Sequence, residues 1–323
     1  MSSYSPTTSL NEKRNFPYFS RLSSSLAQQI KGTQATLQYI ESIRGPGWTE
    51  VAILASVDDL SIDYASEFIN QASETSIVIK GFQEFLTDAD NFDIELSEIQ
   101  KSGARVIVAP IVFDYELLLE RASGFGLVDD NHVWIVAANS VYLKSSNPIP
   151  LARGTISCLT YTPPVSKLSD CISQAYAEAD PAMYVGAGVT ADLRQIGLQF
   201  DTIVTAALAV HALNNKEMLD GRYITAEQWS NEIRNIVWEG LTGQVSFYTN
   251  GDRKGDLEIV YYDPESNNYI SAAIIPEDGS EPTFTKEIVW FSNSTEYPDL
   301  DIREPFHYWS CEHSELRYDA TGK

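Results

Sequence analysis

The sequence predicts an α/β fold with a doubly wound parallel sheet. Three observations carry this: short apolar runs without polar alternation, their regular exchange with stretches of helical spacing, and Gly or Pro breaks between them. A strand covered by helices on both faces has no reason to alternate, and exchange of such strands with helices is the signature of a parallel sheet. Leu26 to Ile43 has helical spacing, with Ile30, Leu37 and Ile43 apolar, and Gly45-Pro46-Gly47 ends it. Val51–Ala55 reads as a buried strand and Asp59–Ser73 as a helix with Tyr64, Phe68 and Ala72 at four-residue intervals. Ser76–Lys80, Arg105–Ala109 and His132–Ala138 read as further strands, with helices over Asp93–Ser102 and Tyr115–Phe125 between them.

After this block the pattern loosens. Gly154 to Pro164 is strand-like, then loop-like. Gln199–Asn214 predicts a long helix with Ile203, Ala206, Ala207, Val210 and Leu213 as its apolar stripe. Thr225, with Gln228 three residues on, is a capping box opening a helix that carries Trp229, Ile233 and Val237, its end bracketed by Gly240 and Gly243. Gln244–Tyr248 and Leu257–Tyr262 alternate around Asn250-Gly251-Asp252, which predicts a β-hairpin. Beyond Pro276 the chain is polar and acidic, and it closes on Phe306, Tyr308 and Trp309 around Cys311.

Composition excludes several classes of function. With 43% hydrophobic and 21% charged residues the chain can build a core rather than stay disordered. Its 22 basic against 45 acidic residues leave a formal charge of -23, which excludes nucleic acid and anionic lipid as partners. No apolar run approaches the ~18 residues of a membrane helix, the longest being Ile203–Leu213, so no direct membrane insertion by this segment is expected. Met1–Thr8 lacks the apolar segment of a signal peptide. Chemistry-bearing clusters are equally thin. Cys158, Cys171 and Cys311 form no CxxC, and His132, His211, His307 and His313 have no metal-ligand spacing. Gly124-Phe125-Gly126 precedes a strand instead of following one, so it is no phosphate loop, and no nucleophile elbow occurs. The expectation is no catalytic residue, no metal and no cofactor. Asn293-Ser294-Thr295 is a glycosylation sequon.

The order of these segments resembles the receptor-family ligand-binding region, the bilobed module of metabotropic glutamate, GABA type B and natriuretic-peptide receptors, related to type I periplasmic binding proteins. Four places carry the resemblance. They are Ser9-Leu-Asn-Glu-Lys13 with Phe16-Pro-Tyr-Phe-Ser-Arg21 and Ser25; Trp48-Thr-Glu-Val-Ala-Ile-Leu54; Gly103-Ala-Arg-Val-Ile-Val108 with Gly126-Leu127 and Val133-Trp-Ile135; and Gly240-Leu-Thr-Gly-Gln-Val-Ser-Phe247 with Asn250-Gly251-Asp252. The resemblance implies two lobes of parallel doubly wound sheet, the first incomplete. Residues 1–47 would be a remnant of lobe one, 48–157 lobe two, 158–242 a return to lobe one, 243–275 a return to lobe two, and 276–323 an edge of lobe one with a tail or stalk. The family's Ser and Thr donors of the first lobe have no counterpart in these residues.

Ligands of open α/β sheets bind outside the carboxyl ends of the strands. Candidate contacts are therefore Asp58, Asp59 and Leu60 after the first strand, Ile111 after the third, and Asn139, Ser140 and Tyr142 after the fourth. Asp58 and Asp59 could attract an ammonium; the plainer alternative is that one of them caps the following helix. Leu60-Ser61 stands where the glutamate-receptor pattern has Tyr-Gly, and Asn139 stands about where the family's amino-acid binders have an Asp that answers the ligand's ammonium; Asn139 can hydrogen-bond but supplies no charge. The resemblance implies an extracellular receptor domain that binds a small amino-acid-like or amine-like molecule between its lobes, works as a homo- or heterodimer, and signals by closure, as in class C G-protein-coupled receptors. The competing expectations are a ligand-free assembly domain, a receptor guanylate cyclase ectodomain and a soluble solute-binding protein.

Overall fold

The computed structural model describes residues 1–89, 91–111, 115–137, 147–163, 167–184, 187, 193–216 and 223–301. The helices are α1 (Leu26–Arg44), α2 (Asp59–Ala72), α3 (Asp93–Ser102), α4 (Tyr115–Gly124), α5 (Lys167–Glu178), α6 (Leu193–Asn215) and α7 (Ala226–Asn235). The strands are β1 (Glu50–Ser56), β2 (Val78–Phe85), β3 (Val106–Ala109), β4 (Val133–Val136), β5 (Ile156–Thr160), β6 (Trp238–Gly240), β7 (Gly243–Val245), β8 (Leu257–Asp263), β9 (Asn268–Ile275) and β10 (Thr283–Phe284).

Eight strands form one sheet in the order β10-β9-β8-β5-β4-β3-β1-β2. Strands β2, β1, β3, β4 and β5 run parallel, in the doubly wound order 2-1-3-4-5; β8, β9 and β10 extend this part antiparallel. Successive side chains point to opposite faces, so one set of apolar residues serves two cores. Val51, Ile53 and Ala55 meet α1 and α2, while Ala52 and Leu54 meet α3 and α4. That sharing is why β1, β3 and β4 are apolar at nearly every position.

The second strand lies further along than the apolar run Ser76–Lys80 suggests. β2 is the sheet's edge, and its outer face, with Val78, Lys80, Phe82 and Glu84, is exposed, so its sequence alternates. Between Val51↔Ile79 and Ala52↔Gly81 the register slips, leaving Lys80 unpaired in the ladder and 3.3 Å from Glu50. A bulge and a lysine are what discourage an edge strand from recruiting another chain.

Side-chain amides and carboxylates fix the helices. Ser25 and Gln28 form a capping box on α1, and Thr225 and Gln228 form the expected one on α7. Amides seam α1 to α2: Gln71 Nε2 donates to Ala27 O at 3.0 Å and Gln34 Nε2 to Phe68 O at 3.0 Å. Such bonds cost little to bury because each polar group is satisfied.

A second, smaller unit contains α6, α7 and the β6–β7 hairpin, packed around Leu22, Leu198, Ala209, Ile233, Val245 and Phe247. Of the expected stripe of α6 only Leu213 is buried; the rest lies on the wrong face. Ile203 and Val210 are 69% and 44% exposed, while Leu198, Asp201, Thr205, Ala209 and Leu213 are buried. Asp201 is inside because its oxygens accept from Leu241 N (2.7 Å), Thr242 N (2.9 Å) and the Thr242 hydroxyl; Thr205 accepts from Trp238 Nε1 at 3.0 Å. A face buried through hydrogen bonds is invisible to an apolar-periodicity reading. The same helix holds a window, Ile196–Asn215, long and apolar enough to cross a membrane, a third of it buried. The expectation that no such window exists is therefore corrected, although the contacts of Asp201 and Thr205 use this helix as a packing element of the small unit.

Two further expectations change. Helix α7 stops at Asn235, so Val237 lies outside it, and Gly240 and Gly243 are partners at the tip of the β6–β7 hairpin. Asn250-Gly251-Asp252 closes only a local turn, bridged at Phe247↔Arg253, and β8 departs to pair with β5 and β9. The packing also divides the chain differently from the boundaries drawn above. Leu26, Ile30, Leu37 and Ile40 of α1 belong to the large core, as do Ile288, Trp290 and Leu300.

Glycine at 240 is required by contact: a Cβ there would stand 2.6 Å from the Asp201 carboxylate. We expect Gly240→Ala to lower unfolding stability by about 1–3 kcal/mol in urea melts. Gly124→Ala, where a Cβ would meet no atom within 4 Å, should be neutral or mildly stabilising. Equal stability of the two variants would refute this account of the hairpin.

Candidate ligand-binding site

Strand order reverses between β1 and β3: from β1 the chain goes to β2 on one side, and the later strands build outward on the other. Crevices form at such switch points, outside the strand tips. The tips are tied together by backbone. Ser56 N–H donates to Pro110 O at 3.5 Å and Val57 N–H to Phe85 O at 2.8 Å, which joins the ends of β1, β2 and β3 into one rim.

Asp58 sits on that rim as the N-cap of α2. One oxygen accepts from Leu60 N (3.1 Å) and Ser61 N (3.0 Å), and the other from Ser56 Oγ (2.6 Å). Ser56 Oγ also meets Ser61 Oγ at 2.9 Å. The carboxylate therefore satisfies the first turn of the helix, and its charge also lies at the helix's positive end. Asp59 is exposed in the same turn, and Leu60 is half-buried against the large core. Ile111 is 1% exposed and packs in the core between the sheet, α3 and α4, so it lines no open surface. Asn139, Ser140 and Tyr142 lie outside the described residues. The structure thus brings Asp58, Asp59 and Leu60 together on one rim and places Ile111 beneath it.

Two features of this region were not legible in the sequence. Ser56 and Ser61 are buried hydroxyls behind Asp58. Asp63, one turn into α2, accepts from Thr8 N at 2.7 Å and from the Thr8 hydroxyl, which lays the start of the chain against the helix. With Asp58, Asp59 and Asp63 on adjacent turns the rim is anionic and rich in hydroxyl groups. Such a surface attracts a cationic group and can orient it by hydrogen bonds.

Among the described residues, His132, His211 and Cys158 are engaged or inert, while Cys171 is an exposed free thiol. His132 is buried at the opposite end of β4, 2.6 Å from Asp129 and 3.2 Å from Arg105, and burial lowers its pKa. His211 pairs with Asn215 at 3.0 Å. Burial pushes the Cys158 thiol far above its usual range, so it is no nucleophile. Among the described residues no group of three His, Cys, Asp or Glu could hold a metal ion.

A polar latch ties the start of the chain and the β6–β7 hairpin to the turn before β8. Arg21 is fully buried and donates through Nε to Asp252 at 2.6 Å. Its Nη1 reaches Ser5 O (2.8 Å) and Thr7 O (2.9 Å), and its Nη2 reaches Asn11. Gly251, at φ 85, lets the turn approach so closely that a Cβ would stand 2.5 Å from Phe19 O. Arg253 continues the latch, donating to Thr242 Oγ1 (2.5 Å), Thr242 O (2.7 Å) and Gln244 O (3.0 Å). Burial pulls its pKa down to about 10, which still leaves it charged at neutral pH. Asp252→Ala would strand the Arg21 charge in the interior, with an expected loss of about 3–5 kcal/mol. The double change Arg21→Met with Asp252→Leu should recover most of it in denaturant titrations. A single variant as stable as the parent would contradict the latch.

A family model described as "Receptor family ligand binding region" matches residues 1–265. A metabotropic glutamate receptor-like protein E of Dictyostelium discoideum is 23% identical over 268 residues, covering 78% of this chain. The chain spans 30% of that relative's length. The latch residues Gly240 to Gly243 and Asn250 to Asp252, the reversed strand order and a match over most of the sequence agree, and the chain belongs to the receptor family ligand-binding region.

Proposed function

We propose that this chain is an extracellular ligand-binding domain of a membrane receptor, of the glutamate and GABA type B class. It takes a small amine or amino-acid-like molecule at the rim of β1, β3 and β4 and signals as the two units close on it. The observation that supports this most is the switch-point rim, where Asp58, Asp59 and Asp63 stand in line on the first turns of α2. Family membership and the likeness to a metabotropic glutamate receptor-like protein support the receptor class. Asn139, Ser140 and Tyr142 complete the proposed set from the fourth strand. Closure needs a ligand that binds the closed form more tightly than the open one, by about 10⁴-fold for a near-complete switch. Pairing of two copies, or with a related receptor chain, would convert closure into a signal.

A second reading, a domain that assembles receptors without binding a ligand, is favoured by one specific feature. Both Asp58 oxygens are already engaged by the cap and Ser56, so this charge is not waiting for a partner.

Titration calorimetry against glutamate, glycine, 4-aminobutanoate and small primary amines separates the two readings. On the first, at least one amine binds; Asp59→Asn weakens it about 10-fold and leaves stability within ~0.5 kcal/mol. Silence against all of them supports the assembly reading. The extracellular assignment has its own check. Asn293 is exposed in a turn, at φ 56, with Asn293 N–H donating to Trp290 O at 2.9 Å. Expression in a eukaryotic secretory line should add a glycosidase-sensitive mass that Asn293→Gln removes. An unmodified secreted product would count against glycosylation at this site.

A further inference from the structure

We propose that Gly255 is the pivot between the sheet unit and the small unit, and that a bond between Tyr248 and Glu277 holds the pivot at its present angle. This rests on the reading that the two units move against each other when a ligand binds.

Besides the start of the chain, which runs from Met1 against the small core to Thr8 against α2, three segments among the described residues cross between the units. The first runs from Leu22, in the small core, to Leu26, in the large one; the second leaves β5 at Thr160 toward Pro163; the third runs from Phe247 to Leu257. Hydrogen bonds along the third crossing change sides within two residues. Lys254 N–H donates to Ser246 O at 2.8 Å, beside the β6–β7 hairpin. Asp256 O accepts from Tyr161 N at 3.0 Å, and its carboxylate accepts from Glu277 N at 2.9 Å, both at the sheet's rim. Counting backbone bonds alone, Gly255 stands between the last bond to one unit and the first bond to the other; the side chain of Gln28, on α1, already donates through Nε2 to Arg253 O at 3.2 Å.

Its own conformation fits that place. Gly255 has φ 150, in a region that L side chains rarely adopt, yet a Cβ there would meet nothing within 4 Å. Gly47, Gly154 and Gly251 are different, because a Cβ at each would strike backbone atoms at 2.5–2.8 Å. At those three, glycine answers a close approach. At 255 it answers only a backbone angle, in open surroundings where that angle is free to change. The space exists: a cavity of about 330 Å³ spans the joint, lined by Glu239, Thr242 and Ser246 from one side and Thr160, Asp256 and Glu277 from the other. Rotation at Gly255 would open or narrow it.

Two side-chain bonds cross the same joint, the Gln28–Arg253 bond and one from Tyr248. Tyr248 OH, on the latch turn, donates to Glu277 Oε1 at 2.5 Å, at the end of β9. The Lys254 ammonium lies 5.3 Å from the Tyr248 ring and steadies it. Because the bond is solvent-accessible, it can break and re-form as the angle changes. It therefore biases the resting angle without locking it.

The test needs no ligand. Spin labels at Glu120→Cys, on α4, and Glu227→Cys, on α7, in a Cys171→Ser, Cys311→Ser background report the distance between the units by double electron–electron resonance. Tyr248→Phe should broaden that distribution, and Gly255→Ala should shift or sharpen it. Gly103→Ala, at φ 71 in open surroundings at the end of α3 and away from the joint, should leave it unchanged. If Gly255→Ala fails to fold, Tyr248→Phe still decides, since it introduces no backbone strain. Distributions that superimpose on the parent for both Tyr248→Phe and Gly255→Ala overturn the proposal. A protein that binds no amine but shows these changes keeps the pivot and loses only the ligand reading.

Discussion

The ion pair between Arg21 and Asp252 organises this molecule. Burying two charges carries a desolvation cost that is recovered only when geometry and further hydrogen bonds are good. Here every donor of the guanidinium seen in the pairings has an acceptor: Asp252, Ser5, Thr7 and Asn11. The pair joins residues 231 positions apart, and in doing so it brings the start of the chain, the entry to α1 and the turn before β8 to one point. From that point the start of the chain is laid against α1 and α2. Pro6 O receives the N–H of Leu26 at the start of α1, and Thr8 then reaches Asp63 on α2.

The residues that mark the family are explained by the same packing. Gly240, Thr242 and Gly243 let the hairpin close against Asp201 and Arg253, while Gly251 and Asp252 let the next turn close against Phe19 and Arg21. None of these needs a ligand to account for it. Polar contacts in a small core allow few substitutions, whereas an apolar contact of similar volume tolerates several. Among the described residues the small unit's cluster holds six buried apolar residues, far fewer than either core of the sheet, so hydrogen bonds carry more of its definition.

Function, on the reading argued above, is divided between a rigid part and a yielding part. The rigid part is the tied rim of β1, β2 and β3, where backbone bonds and the Asp58 cap fix the positions of acidic and hydroxyl groups. The yielding part is the third crossing. A binding domain that works by closure needs both: fixed contacts to discriminate, and a joint whose resting angle is only weakly preferred.

The sequence by itself determined the sheet-and-helix half. Strands buried on two faces must be apolar at nearly every position, so β1, β3 and β4 appear as continuous runs, and Ser25 with Gln28 or Thr225 with Gln228 announces a helix start from three residues of local chemistry. Asp58 as a cap was legible for the same reason. Tertiary structure alone decided what depends on partners far away in the chain. It chose the polar face of α6 for burial because Leu241 and Thr242 offer N–H groups to Asp201; it drew Ile111 inward because α3 and α4 cover it; and it set Arg21 against Asp252. Local patterns record what a residue's neighbours along the chain require, and a buried charge or hydrogen bond is settled by whichever group the fold carries to it.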